Sequence, residues 1–200
     1  MDGVSDAPRD VALKEWALVC DLLLAGEQVV LLRKGGIHEP RRGFAIEHDA
    51  FLLYPNVEHQ RAEQLRPDLR PRLDAAPAPP REQGTVTLPG YCLVTDVIRV
   101  PDAQRAYALE PLTCWTPPFF DLRLRYKPER PLFAVVVRAH RLLRPASIPY
   151  HRLYAGCRSW VPLREALPED ALAGARPALD DAAFAARRAD VRAALDAERA

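Results

Sequence analysis

Residues 10–36, DVALKEWALVCDLLLAGEQVVLLRKGG, decide the fold class. Leu13, Trp16, Ala17, Cys20, Leu23 and Leu24 recur at helical spacing, with Asp10 where a cap belongs and Gly26 just past the end. The spacing predicts a helix over residues 11–25. The β-branched run at residues 28–33 reads as a strand, because it follows a glycine stop and closes on charge. Gly35-Gly36 then opens a turn with freedom for positive φ.

Outward from that stretch, short strands dominate. Residues 44–47 and 51–54 read as strands, with Pro55 ending the second, and residues 57–65 as a short polar helix stopped before Pro67. Residues 66–83, RPDLRPRLDAAPAPPREQ, have too few large apolar side chains for a core and too many prolines for a helix. They read as an exposed, mobile loop. Residues 84–88 and 91–100 read as two strands broken at Pro89-Gly90, and residues 103–109 as a helical turn. Residues 119–126 alternate Leu122 and Leu124 with Arg123 and Arg125, the pattern of a half-buried strand. Residues 132–142, centred on FAVVV, are the strongest strand; the Ala-rich residues 179–200 form an amphipathic helix.

Regular βαβ alternation is missing. The expected fold is therefore α+β: a small, mostly antiparallel sheet or partly closed β-barrel, with an N-terminal helix packed on it and a C-terminal helix. One domain over residues 10–165, containing the mobile loop, would carry a helical appendage over residues 178–200.

Composition excludes little. Two hundred residues fit one domain, and 48% hydrophobic with 28% charged residues is ordinary for a soluble protein. The net charge of +1 gives no global field for nucleic acid or membrane. The preference for Arg over Lys, which occurs only as Lys14, Lys34 and Lys127, has the look of a GC-rich genome. Cys20, Cys92, Cys114 and Cys157 lie far apart, without zinc or redox spacing, as thiols kept reduced in a cytoplasm would. The polar opening MDGVSDAPRD is no signal peptide, and no apolar run has membrane-spanning length.

The ionisable groups concentrate between Gln28 and Gln60. Arg33, Lys34, Gly35 and Gly36 put two cations beside flexible glycines, which suits phosphate or carboxylate and equally a solvated turn. His38-Glu39, Glu47-His48 and Glu58-His59 bring metal-ligand and acid–base residue types, or ordinary surface ion pairs. Neighbours on a strand point to opposite faces, so each pair gives one member to a common site. His48, Glu58 and His59, which flank FLLYP, are the catalytic candidates. In a second cluster Cys157 beside Arg158 has the setting of an activated thiol, although buried cysteines are commonly inert. Arg158 can also serve as an anion ligand, Ser159 as a hydroxyl donor and Trp160 as a stacking platform or a core anchor. Trp115, Pro117, Pro118 and Phe119 form an aromatic corner, and a strand over residues 119–126 would align Arg123, Arg125 and Lys127 on one face.

Three segments, ALKEWALVCDLLLAGEQVVLLRKGGI, FAIEHDAFLLYPNVEHQ and YAGCRSWVPL, together resemble a bacterial family known as domain of unknown function 1802. The likeness covers residues 12–60 and 150–163, with LLRKGG, FLLYP-x-x-EHQ and GCRSW in order. It brings no reaction, and implies that the three motifs meet around one site. A looser likeness, in element order alone, is to the PUA and ASCH β-barrels, which bind RNA or modified nucleotides. In that picture residues 51–54 and 84–100 are barrel strands and residues 132–142 the closing one.

Three functions compete. The favoured one is a nucleic-acid or nucleotide-binding module, in which Arg33, Lys34 and Arg158 hold the anion and Tyr54 and Trp160 stack. The second is a hydrolase or nuclease acting on a phosphorylated substrate through His48, Glu58 and His59, by acid–base chemistry or a metal. The third is an accessory protein docking through its C-terminal helix. Whether the chain is an enzyme stays open; no metal site or cofactor is assigned, and no membrane partner is expected.

Overall fold

The chain opens with a strand. In a computed structural model, which describes residues 7–34, 37–38, 45–74, 84–156 and 158–196, Val11–Trp16 is β1 and the helix α1 is confined to Ala17–Leu24. The expected helix over residues 11–25 is thus half strand. Ala12 and Leu13 are claimed by pairing on both sides, parallel to Leu52 and Leu53 and antiparallel to Val161 and Trp160. An apolar run of this kind has no periodicity that separates a buried strand from a buried helix. All of α1 except Asp21 is buried, as a helix apolar on every side must be. It ends as expected at Gly26, whose φ of 71° is where glycine is favoured; a Cβ there would lie 2.5 Å from Leu179 Cδ2.

After α1 come β2 (Val30–Arg33), a separate two-stranded ribbon of β3 (Ile37–His38) and β4 (Ala45–Ile46), and β5 (Ala50–Asn56). β5 runs through Pro55 instead of stopping there. The polar helix expected at residues 57–65 shrinks to a 3-10 turn at Ala62–Gln64, because Leu65 is drawn fully into the core and bridges to Trp115. Pro67–Leu69 and α2 (Pro71–Asp74) are single turns with Leu69 buried; residues 75–83, the remainder of the expected loop, lie outside the described residues.

Two long antiparallel strands follow, β6 (Thr85–Val100) and, after α3 (Ala103–Ala108) and α4 (Pro117–Arg125), β7 (Leu132–Pro149). β6 is one strand, not two. Its break at Pro89-Gly90 is a bulge, where a side chain on Gly90 would meet His140 O at 2.3 Å. The expected strand at 119–126 is the helix α4 instead. Pro117 and Pro118 suit the first helical turn, and burying the adjacent Phe119 and Phe120 on one apolar stripe outweighs the Leu/Arg alternation, leaving Leu122 exposed. β8 (Trp160–Pro162), β9 (Arg176–Pro177) and α5 (Asp181–Asp196) complete the chain.

The main sheet runs β2-β7-β6-β5-β1-β8, with β9 beside β7, and every pair is antiparallel except β1 with β5. This is an α+β fold. The sheet is not closed, and β7, the expected closing strand, lies inside it between β2 and β6. Yet its two edges face each other: Arg33 at the end of β2 stands 3.8 Å from Glu15 of β1 and 6.0 Å from the Trp160 ring of β8. The β6 bulges at Leu88/Gly90 and Val94/Asp96 supply bends for such a curl. Period-two alternation divides the core. Leu13, Phe51 and Leu53 join α1, whereas Ala12, Leu52 and Tyr54 face a second cluster with Tyr154, Leu163 and Leu172. Phe184, Val191 and Leu195 of α5 enter the first cluster.

Candidate functional site

The seam where the sheet edges face each other is a cleft of about 670 Å³. Its floor is the Arg33–Glu15 pair, each side chain 11% exposed. Burial lowers the Arg33 pKa from its ordinary value and the Glu15 charge opposes that fall. Half-buried Trp160 stands beside Arg33, with Phe51 and His48 against it edge-on at 5.3 and 5.0 Å.

One wall is the loop before β8. Lys14 fastens it: its backbone N–H donates to Ser159 O at 2.7 Å, and its Nζ donates to Tyr154 O and to Gly156 O at 3.2 Å. Ser159 and the exposed Arg158 therefore line the cleft on a braced segment.

The opposite wall is the C-terminal end of α4. Phe119 stacks on Trp115 at 3.9 Å, Trp115 meets Trp16 edge-on at 4.9 Å, and the Arg123 guanidinium lies 5.1 Å from the Phe119 ring. Lys34 then caps the helix across the seam, donating to Leu124 O, Tyr126 O and Lys127 O at 3.2, 2.9 and 3.4 Å. An ammonium has three donors, so Lys34 contributes charge to the cleft and no free hydrogen bond. A turn closed by Arg130 N–H to Lys127 O at 2.9 Å, with Lys127 at a φ of 46°, brings Tyr126, Lys127 and Arg130 to the opening.

Among the described residues, seven Lys and Arg side chains line this cleft against three carboxylates, Glu15, Glu47 and Glu58. Arg123, Lys127, Arg130 and Arg158 have no ion-pair partner among the described residues. Such a concentration on a chain of net charge +1 repels itself and attracts anions.

Of the residues singled out from sequence, Arg33, Lys34, Glu58, His59, Arg158, Ser159 and Trp160 line the one cleft, so pieces of all three family motifs do meet there. His48 packs edge-on against Trp160, 3.8 Å from Glu47, and is not among the residues that line the cleft. Tyr54 lies outside too, buried beside Tyr154, and its pKa is pushed up to about 12, chiefly by burial. Gly35, Gly36 and Cys157 are outside the described residues. The expected Arg123, Arg125 and Lys127 stripe is absent because α4 is a helix. Arg123 and Lys127, four apart, line the cleft, and Arg125 does not. Sequence reasoning passed over Glu15, Tyr126 and Arg130; the usable signal was Pro117-Pro118, which marks a helix start and so carries residues 126–130 past its end.

Fold and site define an α+β protein with a cationic cleft at the open seam of a curled, mostly antiparallel sheet. The chain belongs to the family described as domain of unknown function (DUF1802), whose sequence model matches residues 12–190. No curated protein and no solved structure matches it. Among the described residues, no helix is long and apolar enough to cross a membrane.

Proposed function

We propose that the cleft binds phosphate-bearing ligands, as a nucleic-acid or nucleotide-binding module. The supporting observation is a set of four cations on one cleft, the exposed Lys127, Arg130 and Arg158 and the half-buried Arg123, with no ion-pair partner among the described residues. Guanidinium groups grip phosphate bidentately, and the pairs they form in a recessed site are screened less than on open surface. Arg33 sets the field from below while Glu15 keeps it compensated.

The test is binding of fluorescent ten-nucleotide RNA and DNA and of nucleotides, at two salt concentrations, to wild type and to Arg123→Gln/Arg130→Gln/Arg158→Gln. With the variant's circular dichroism unchanged from wild type, affinity falls by about tenfold or more with a shallower salt dependence. Absence of any phosphate-ligand binding to folded wild type at low salt would sink the proposal.

A hydrolytic reading has one observation in its favour. Glu58 and His59 lie on the same cleft, and His59 holds a φ of 62°, a conformation that non-glycine residues adopt mostly under local constraint. Among the described residues no three His, Cys, Asp or Glu side chains gather as a metal site. If the cleft hydrolyses phosphate esters, His59→Ala stops turnover and spares binding; equal turnover in the variant dismisses that role.

A further inference from the structure

Among the described residues, Tyr126 is the one large aromatic side chain of the cleft lining that stands mostly in the open, 54% exposed, whereas Trp16 and Trp160 are half-buried. Its backbone is held at both polar groups: the N–H donates to Leu122 O at 2.9 Å and the carbonyl accepts from Lys34 Nζ at 2.9 Å. The ring is thus presented by a fixed backbone, with Lys127 Nζ 5.1 Å from its centroid and Arg123 and Arg130 on the same cleft. An aromatic face beside unpaired cations matches two chemistries carried by one ligand, a flat base and its phosphates.

We propose that the occupant is a nucleoside polyphosphate, with its base stacked on Tyr126 and its phosphates held by Arg123, Lys127, Arg130 and Arg158; this rests on the phosphate-binding reading above. Two observations favour a single nucleotide over a strand. A volume of about 670 Å³ is that of a small-molecule site. Glu47 and Glu58, both exposed among the lining residues, add negative charge that counts against a long phosphodiester backbone more than against a few phosphates held by the cations. Tyr54, one of the two aromatics that the sequence offers for stacking, faces the other core cluster.

Calorimetric titration with ATP, GTP, tripolyphosphate and a ten-nucleotide RNA, on wild type, Tyr126→Ala and Tyr126→Phe, tests the assignment. At least one nucleoside triphosphate binds wild type about tenfold or more tighter than tripolyphosphate, the scale of one stacked base. Tyr126→Ala removes that advantage and leaves tripolyphosphate binding unchanged, and Tyr126→Phe keeps it. Equal binding of tripolyphosphate and nucleotide, or nucleotide binding indifferent to Tyr126→Ala, overturns the base assignment while phosphate binding stands. RNA binding more than about tenfold tighter than either nucleotide replaces the single nucleotide with a strand. If none of the four binds folded protein at low salt, the phosphate reading falls as well.

Discussion

Arg33 leaves the end of β2 and meets the Glu15 carboxylate at 3.8 Å, with both side chains 11% exposed. Charges so covered are costly apart, because removing one leaves the other without compensation in a poorly solvated seam. Glu15→Gln should therefore destabilise by about 3 kcal/mol, read as a lowered urea midpoint. The double variant Glu15→Leu/Arg33→Met should recover much of that loss, since well-packed apolar replacements remove the desolvation problem altogether. A single-variant cost below about 0.5 kcal/mol would show that the pair is solvated like a surface bridge. Arg33 was visible in the sequence as a strand-end cation. Glu15 was not, because a helix through residues 11–25 gives it no particular partner, and only its place on β1 beside the opposite sheet edge defines one.

α5 docks through Phe184, Val191 and Leu195, and through Arg188 and Arg192, which both bond Asp96 at the second β6 bulge. Burial alone would raise the Asp96 pKa, but hydrogen bonds from Arg188, Arg192 and Thr95 hold it at about 2, with its side chain 5% exposed. A carboxyl held below its unfolded value of about 3.9 stabilises the fold fully above that value, and the contribution fades as pH falls through about 2. Asp96→Asn should cost on the order of 2 kcal/mol at pH 7, and the two proteins should converge in urea midpoint near pH 2. A constant difference down to that pH would mean the aspartate is not held by the arginines. The α5 segment was readable from its amphipathic spacing, as Phe184, Val191 and Leu195 bear out. α4 was not: Leu122 and Leu124 imitate a strand, and the buried pair Phe119-Phe120 is meaningful only once Trp115 and Tyr107 are packed against it.

Across the whole molecule, α1, β6 and the segment before α4 share one core cluster, and each places a cysteine in it, Cys20, Cys92 and Cys114. Burial pushes all three thiol pKa values up, so neither access nor thiolate favours reaction. Thiol labelling read by mass spectrometry should leave these three unmodified in the native protein and modify them at a common urea midpoint. Early labelling of Cys114 alone would show that the α4 side, and with it one wall of the cleft, opens separately. The sequence by itself determined the fold class, the first part of β7 over residues 132–142, the glycine stop at Gly26, the C-terminal helix and the family motifs. Each of those is written in spacing, β-branching or backbone permissiveness local to a few residues. Only the tertiary structure decided that β1 is a strand, that α4 is a helix and that the two sheet edges come to face each other. The physical reason is that pairing on both sides of β1, the packing of Phe119 and Phe120, and the curl that carries Arg33 to Glu15 and Trp160 are interactions between residues distant in the chain. No local periodicity encodes those, and the cleft they build is therefore absent from any single stretch of sequence.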